Sequence, residues 1–203
     1  MMDHIFLRRI TMKALLISGS QRKGGNTEIM LQGCAKELDA HDIETEILSL
    51  SGKRIKGCTG CGWCRENQQE KRCVMQDDDF LPIFRKMLDA DIIVVGSPVY
   101  FGSATPELMA LLARAGYVGR PTSAFSRKLG GALTVARRAG QNFTLAQLLY
   151  CFLLNDMIVP GSTYWNIGFG AAKGDVEQDV ESAKVIIRFA ENLAWLAHKI
   201  HST

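Results

Sequence analysis

Four of the chain's six cysteines fall in one short stretch, GCTGCGWCRENQQEKRC, at 57–73. Cys58, Cys61 and Cys64 are each separated by two residues, and Cys73 follows after eight more. Thiols this close can ligate a metal, act as nucleophiles or pair with one another. Iron–sulfur clusters take four thiolates, and C-x2-C-x2-C is a recurrent ligand run. Gly57, Gly60 and Gly62 give the backbone the freedom to aim successive sulfurs inward. Zinc and unligated thiols remain open readings, although structural zinc usually takes two separated cysteine pairs. Disulfides are disfavoured: they would close very short loops and add little stability. The four histidines, His4, His41, His198 and His201, lie far from this stretch. No Ser–His–Asp or Cys–His arrangement arises, which argues against hydrolysis. Three acids at 77–79 open a helix and read as complements to its dipole. Cys34 falls on an apolar helix stripe and reads as a core thiol, while Cys151 has no assigned role.

Three further stretches can bind a ligand. SGSQRKGGNT (18–27) leaves an apolar run and leads into a helix. Ser18, Ser20 and Thr27 offer hydroxyls, Gly24 and Gly25 let backbone N–H groups approach closely, and the helix start adds partial positive charge. Together these suit a phosphate. Neither a Walker loop nor a G-x-G-x-x-G fingerprint is present. SPVYFGSATP (97–106) presents Tyr100 and Phe101, which can stack on a flat ring or fill the core. ARRAGQN (136–142) offers Arg137 and Arg138, one to face an anionic ring edge and the other to face solvent.

The elements that must carry these loops alternate along the chain. Strands are expected at 13–18, 43–50, 91–100, 130–136 and 157–162. The helices between them include one starting at Asn26 or Thr27, one near Asp78 and one at Thr105–Pro106. The last is expected to open at Asp175, with Gln178 as its capping-box partner, and to turn Val180, Ala183, Ile187, Ala190, Ala194 and Ala197 inward. Five strand–helix units call for a parallel sheet covered on both faces. One domain over 1–203 is expected, with a cysteine-rich insertion at 51–76 and an extra arm at 1–12. A net charge of +3 is too small to imply nucleic acid or a membrane surface. No apolar run reaches the roughly 18–20 residues that cross a bilayer. The opening MMDHIFLRRITM lacks the pattern of an export signal, so a reducing cytoplasm is the expected location.

In their order, SGSQRKGGNT, SPVYFGSATPELMALLAR, ARRAGQ and GSTYWNIGFGAAKGDVE resemble the flavodoxin-like NADPH-dependent FMN reductase family, over nearly everything from Met12 onward. The resemblance implies an α/β three-layer sandwich whose five-stranded parallel sheet has the order 2-1-3-4-5, with helices on both faces. It also implies non-covalent FMN across the three loops. Ser18, Ser20, Arg22, Asn26 and Thr27 then fall in the phosphate loop. Pro98, Val99, Tyr100, Phe101, Gly102 and Ser103 border the isoalloxazine and ribityl chain, and Ala136, Arg137 and Gly140 lie on its pyrimidine side. The cysteine spacing resembles the iron–sulfur flavoprotein branch, which makes Cys58, Cys61, Cys64 and Cys73 candidate ligands of a 4Fe–4S cluster. The last gap is longer than that branch usually shows, and other relatives keep a similar loop with FMN alone. The implied activity is an FMN oxidoreductase that takes electrons from NAD(P)H and passes them to a small molecule or redox partner. The alternative is an electron carrier between the cluster and FMN. Either needs no catalytic acid or base from the protein, because flavin carries the chemistry. A homodimer or homotetramer is also implied.

Overall fold

Runs of apolar residues bounded by glycine and polar turns become the strands of a computed structural model that describes residues 11–201. They are β1 (Met12–Ser18), β2 (Ile43–Ser49), β3 (Ile92–Pro98), β4 (Leu129–Ala136) and β5 (Ile167–Phe169). All pairings are parallel, in the order β2-β1-β3-β4-β5, as the resemblance implies. β4 is buried along its whole length and β3 along nearly all of it, which requires the continuous apolar runs both carry. β2, an edge strand, is fully buried only at Ile43 and half-buried or exposed beyond it. The expected arm at 1–12, with His4, lies outside the described residues except at its end, where Met12 opens β1.

Helices cover both faces. They are α1 (Asn26–Ala40), α2 (Trp63–Glu66), α3 (Phe80–Asp89), α4 (Pro106–Gly119), α5 (Gln141–Leu154) and α6 (Val180–His201). One core joins Phe80, Phe84, Leu108, Leu111, Leu148 and Phe152 to the sheet. The other joins Leu31, Leu38, Phe189 and Leu193. Cys34 belongs to this second core as expected, and burial together with the nearby Glu37 pushes its thiol to about 12, which leaves it inert. The phenyl ring of Phe152 stands on β4 at Gly130, where a Cβ would meet it at 2.6 Å. Among the described residues no helix is long and apolar enough to cross a membrane.

Two expectations are corrected. The segment 157–162 is not the fifth strand: only Ile158 makes a bridge, to Leu129, before Pro160 removes the next donor. The fifth strand forms later, at Ile167–Phe169, against the carboxyl half of β4. Asp175–Gln178 is a 3-10 turn and not a capping box; α6 starts at Val180, and the Asp179 carboxylate accepts the Ser182 N–H at 3.0 Å. The apolar stripe shifts accordingly. Val180 and Ile187 are exposed, while Val185, Ile186 and Phe189 are buried beside Ala190, Ala194 and Ala197.

Candidate functional site

A parallel sheet leaves its ligand crevice beyond the carboxyl ends of the strands. Here the loops after β1, β3 and β4 meet over a cleft of about 210 Å³. Ser20, Arg22, Asn26, Thr27, Pro98, Val99, Tyr100 and Arg137, all expected site residues, line it. The remaining expected residues frame the cleft. Ser18 is buried beneath it and accepts the Ser20 N–H at 3.3 Å. Ala136 is buried at the end of β4, and Gly140 caps α5 with φ +91°. Phe101 and Gly102 both have positive φ and form a tight turn closed between Tyr100 and Ser103. That turn leaves Phe101 fully exposed, so it fills no core. Ser103 reaches α5 instead, donating to Gln147 Oε1 at 3.0 Å.

The anion site is built differently from the sequence reading. Gly24 N–H is taken by the Glu28 carboxylate at 2.6 Å, and Gly25 N–H by the Arg22 carbonyl at 3.1 Å. The donors left for a phosphate are those of the first turn of α1, which have no helical carbonyl four residues back to bond. Asn26 reaches across to a fourth loop, which sequence reasoning missed. Its Nδ2 donates to Ala172 O and its Oδ1 accepts from Gly174 N–H, both at 2.8 Å. The Asp175 carboxylate holds the same turn by accepting from the N–H groups of Ala171 (2.9 Å) and Ala172 (2.7 Å). Gly170, Ala171 and Lys173 thereby close one side of the cleft.

The cysteine segment lies between β2 and α3, and its two ends are clipped together. Arg54 N–H donates to Asp79 Oδ2 and Lys56 N–H to Asp78 Oδ2, both at 2.8 Å, while Lys56 Nζ pairs with Asp77. The three acids at 77–79 are therefore clasps on this loop more than complements to a helix dipole. Asp78 is fully buried in an ion pair with Arg114 of α4. Burial alone would raise its carboxyl, but hydrogen bonds from the Lys56 N–H and the Arg114 guanidinium outweigh that and hold it below the usual carboxylate range.

Cys58, Cys61, Cys64 and Cys73 all line one cavity of about 680 Å³ against α4 and α5, joined by Cys151. Burial raises the Cys64 thiol, and the nearby Cys73, Cys58 and Cys61 add to that rise. Gly60 N–H donates to Cys58 Sγ, and Cys64 Sγ donates to Tyr117 O, each at 3.4 Å. Among the described residues no three His, Cys, Asp or Glu side chains converge closely enough to hold one metal ion. A four-iron cluster asks for something else, one thiolate per iron from around a cavity. The donor set fits that demand, and so does an unused donor on the cavity wall: Arg114 Nε is buried with no hydrogen-bond partner. Trp63 packs under Arg72, whose guanidinium lies 4.6 Å from the ring centre. The cleft at the sheet edge and the cysteine cavity share no lining residue within one chain.

The 2-1-3-4-5 sheet, with a helix N-terminus and open loops at its carboxyl edge, defines a flavodoxin-like protein. The chain belongs to the NADPH-dependent FMN reductase family, whose pattern matches residues 12–172, and to its iron–sulfur flavoprotein branch. It is thus an FMN oxidoreductase by family. It is 38% identical over 178 residues to an iron–sulfur flavoprotein of Methanocaldococcus jannaschii, covering 83% of this chain and 88% of that one. It is 33% identical over 185 residues to the iron–sulfur flavoprotein of Methanosarcina thermophila, covering 90% and 93%. Among solved structures, RosB with a bound 8-demethyl-8-formylriboflavin-5'-phosphate superposes with a TM-score of 0.75 at 19% identity, over 95% of this chain and 81% of that one. FerB of Paracoccus denitrificans, an NAD(P)H:(acceptor) oxidoreductase, gives 0.67 at 15% identity, over 93% and 98%. At such identities these two speak to the fold.

One prediction arises from the fourth loop. Asn26→Ala removes the two hydrogen bonds that tie the 171–174 turn to α1, each of which contributes about 1 kcal/mol. FMN affinity is expected to fall about tenfold, measured by fluorescence titration of the apoprotein, and the melting temperature to fall by about 4–8 °C. Unchanged affinity would show that the turn does not close on the flavin.

Proposed function

We propose that this chain passes electrons between a 4Fe–4S cluster on Cys58, Cys61, Cys64 and Cys73 and an FMN at the carboxyl edge of the sheet. One observation carries the reading: all four thiols line a single cavity whose wall includes a buried arginine with a free donor. The names of the Methanocaldococcus and Methanosarcina relatives support it. When bound, the cluster supplies one-electron exchange and FMN links one- to two-electron chemistry. The chain's own residues bind and orient. The first turn of α1, with Ser20, Arg22 and Thr27, holds the phosphate at the positive end of the helix dipole. Tyr100 offers an aromatic wall to the ring, and Arg137, at the end of β4, offers positive charge to its pyrimidine side. The protein partner or small acceptor completes the circuit. Phe143, Tyr150, Leu153 and Leu154 are all more than half exposed on α5, which supports a homodimer or homotetramer.

A second reading, a reductase that takes hydride from NAD(P)H, is favoured by a specific feature. Tyr100 is partly exposed beside the cleft and Phe101 wholly so, which leaves the ring side of the site open to a nicotinamide. Chemical analysis of anaerobically purified protein separates the two. About four iron and four acid-labile sulfide per chain, with slow bleaching of the flavin by NADPH or NADH, support the carrier. Iron-free protein that either nucleotide bleaches within seconds overturns it in favour of the reductase.

A further inference from the structure

α4 turns an apolar stripe of Leu108, Leu111, Leu112 and Ala115 toward the sheet, yet its Arg114 is buried as well, at 1% exposure. A buried guanidinium is costly unless its donors are used. Nη1 donates to Lys56 O at 3.1 Å and pairs with Asp78; Nη2 donates to Met75 O at 3.0 Å. The Phe80 ring lies against the guanidinium at 4.0 Å. Lys56 stands two residues before Cys58, and Met75 two residues after Cys73. One planar group therefore holds both ends of the cysteine loop. Nε–H remains, buried and without a partner, on a side chain that lines the same cavity as the four thiols. Cys73 lines that cavity too, two residues before the Met75 whose carbonyl Arg114 holds.

We propose that Arg114 is the positioning residue of the cysteine centre: it fixes the spacing of the two loop ends and directs its free Nε–H and positive charge at the Cys73 thiolate. The proposal rests on the cluster reading above. A hydrogen bond and a cation at a ligand sulfur favour the more negative, reduced state of a cluster, so both raise its reduction potential. A purely structural arginine would leave that potential unmoved.

The test uses full-length Arg114→Gln and Arg114→Lys, purified anaerobically beside the wild type. Iron, sulfide and FMN are measured per chain, and the cluster potential is followed by redox titration with EPR detection. Arg114→Gln is expected to keep its FMN, lose at least half of its iron and show a more negative potential in what remains. Arg114→Lys keeps the charge without the planar fork and is expected to recover part of both. Wild-type iron and potential in Arg114→Gln would overturn the proposal, and so would lost iron with an unmoved potential. Should Arg114→Gln fail to fold, an unshifted potential in Arg114→Lys has the same force. Wild-type protein that holds FMN but no iron would refute the cluster reading itself, and so separates that failure from this one.

Discussion

Asp78→Asn is expected to lower the free energy of unfolding by about 3–5 kcal/mol, the loss typical of breaking a buried ion pair from one side. The carboxylate and its Arg114 partner are both essentially solvent-free. Removing the negative charge strands a guanidinium that cannot reach water. The same oxygen also accepts the Lys56 N–H at 2.8 Å, so the substitution loosens the root of the cysteine loop as well. The effect carries a pH signature. The folded carboxyl titrates below the unfolded value of about 3.9, so its contribution is complete above that value and fades as pH falls through the lower, folded one. Denaturant midpoints of wild type and Asp78→Asn should therefore differ widely at pH 7 and draw together in acid. Asp77→Asn, which breaks only the exposed pair with Lys56, should scarcely move the midpoint. Equal midpoints for all three proteins at pH 7 would show that the clasp contributes nothing.

How much of this could be read from the sequence depended on the distance over which each feature is encoded. β1, β3 and β4 were legible because central parallel strands need unbroken apolar runs, and DIIVVGSPVY or GGALTVA is such a run. β5 was not legible. Only three residues, Ile167–Phe169, pair with β4, and their short apolar pattern is no stronger than that of Met157–Val159. That misplacement hid the 170–174 turn, which reaches the ligand edge of the sheet only because it follows β5. Its glycines at 170 and 174 around Lys173 were the available signal. The clasp was invisible for another reason. Three acids before Phe80 look like a helix start, and indeed Asp78 Oδ1 accepts the Phe80 N–H at 3.3 Å. Their principal partners, however, sit at 54–56 and at Arg114, which is 36 residues from Asp78. Arg114 follows Leu111 and Leu112 in a helix, and nothing local tells a buried arginine from a solvated one. Only a carboxylate delivered by the fold makes the difference. The cysteine spacing singled out four thiols that line one cavity, while the buried arginine on its wall emerged only from the packing.

Gly140→Ala is expected to weaken FMN binding at least tenfold, a loss of about 1.4 kcal/mol or more, beyond any fall in stability. Gly140 caps α5 at φ +91°, a conformation that strains an alanine by about 1–3 kcal/mol. Strain alone would affect folding without touching the cofactor. The added Cβ, however, would lie 2.9 Å from Val99 Cγ1 and 3.3 Å from Gly102 Cα. Neither side yields easily. The Gly140 carbonyl is fixed by the Thr144 N–H and hydroxyl, both at 3.1 Å, and Val99 N–H is tied to Val135 O at 2.9 Å. Relief must therefore come from separating the loop after β4 from the loop after β3, the two that carry Arg137 and Tyr100 to the cleft. Gly52→Ala, in the turn after β2, is the matched control. It has a comparable φ of +76°, but an added Cβ there meets nothing within 4 Å. It should lower the melting temperature to a similar extent while sparing flavin affinity. If fluorescence titration finds the two variants equally impaired in FMN binding, backbone strain and not loop separation is the cause, and the contact between Gly140 and Val99 has no part in shaping the site.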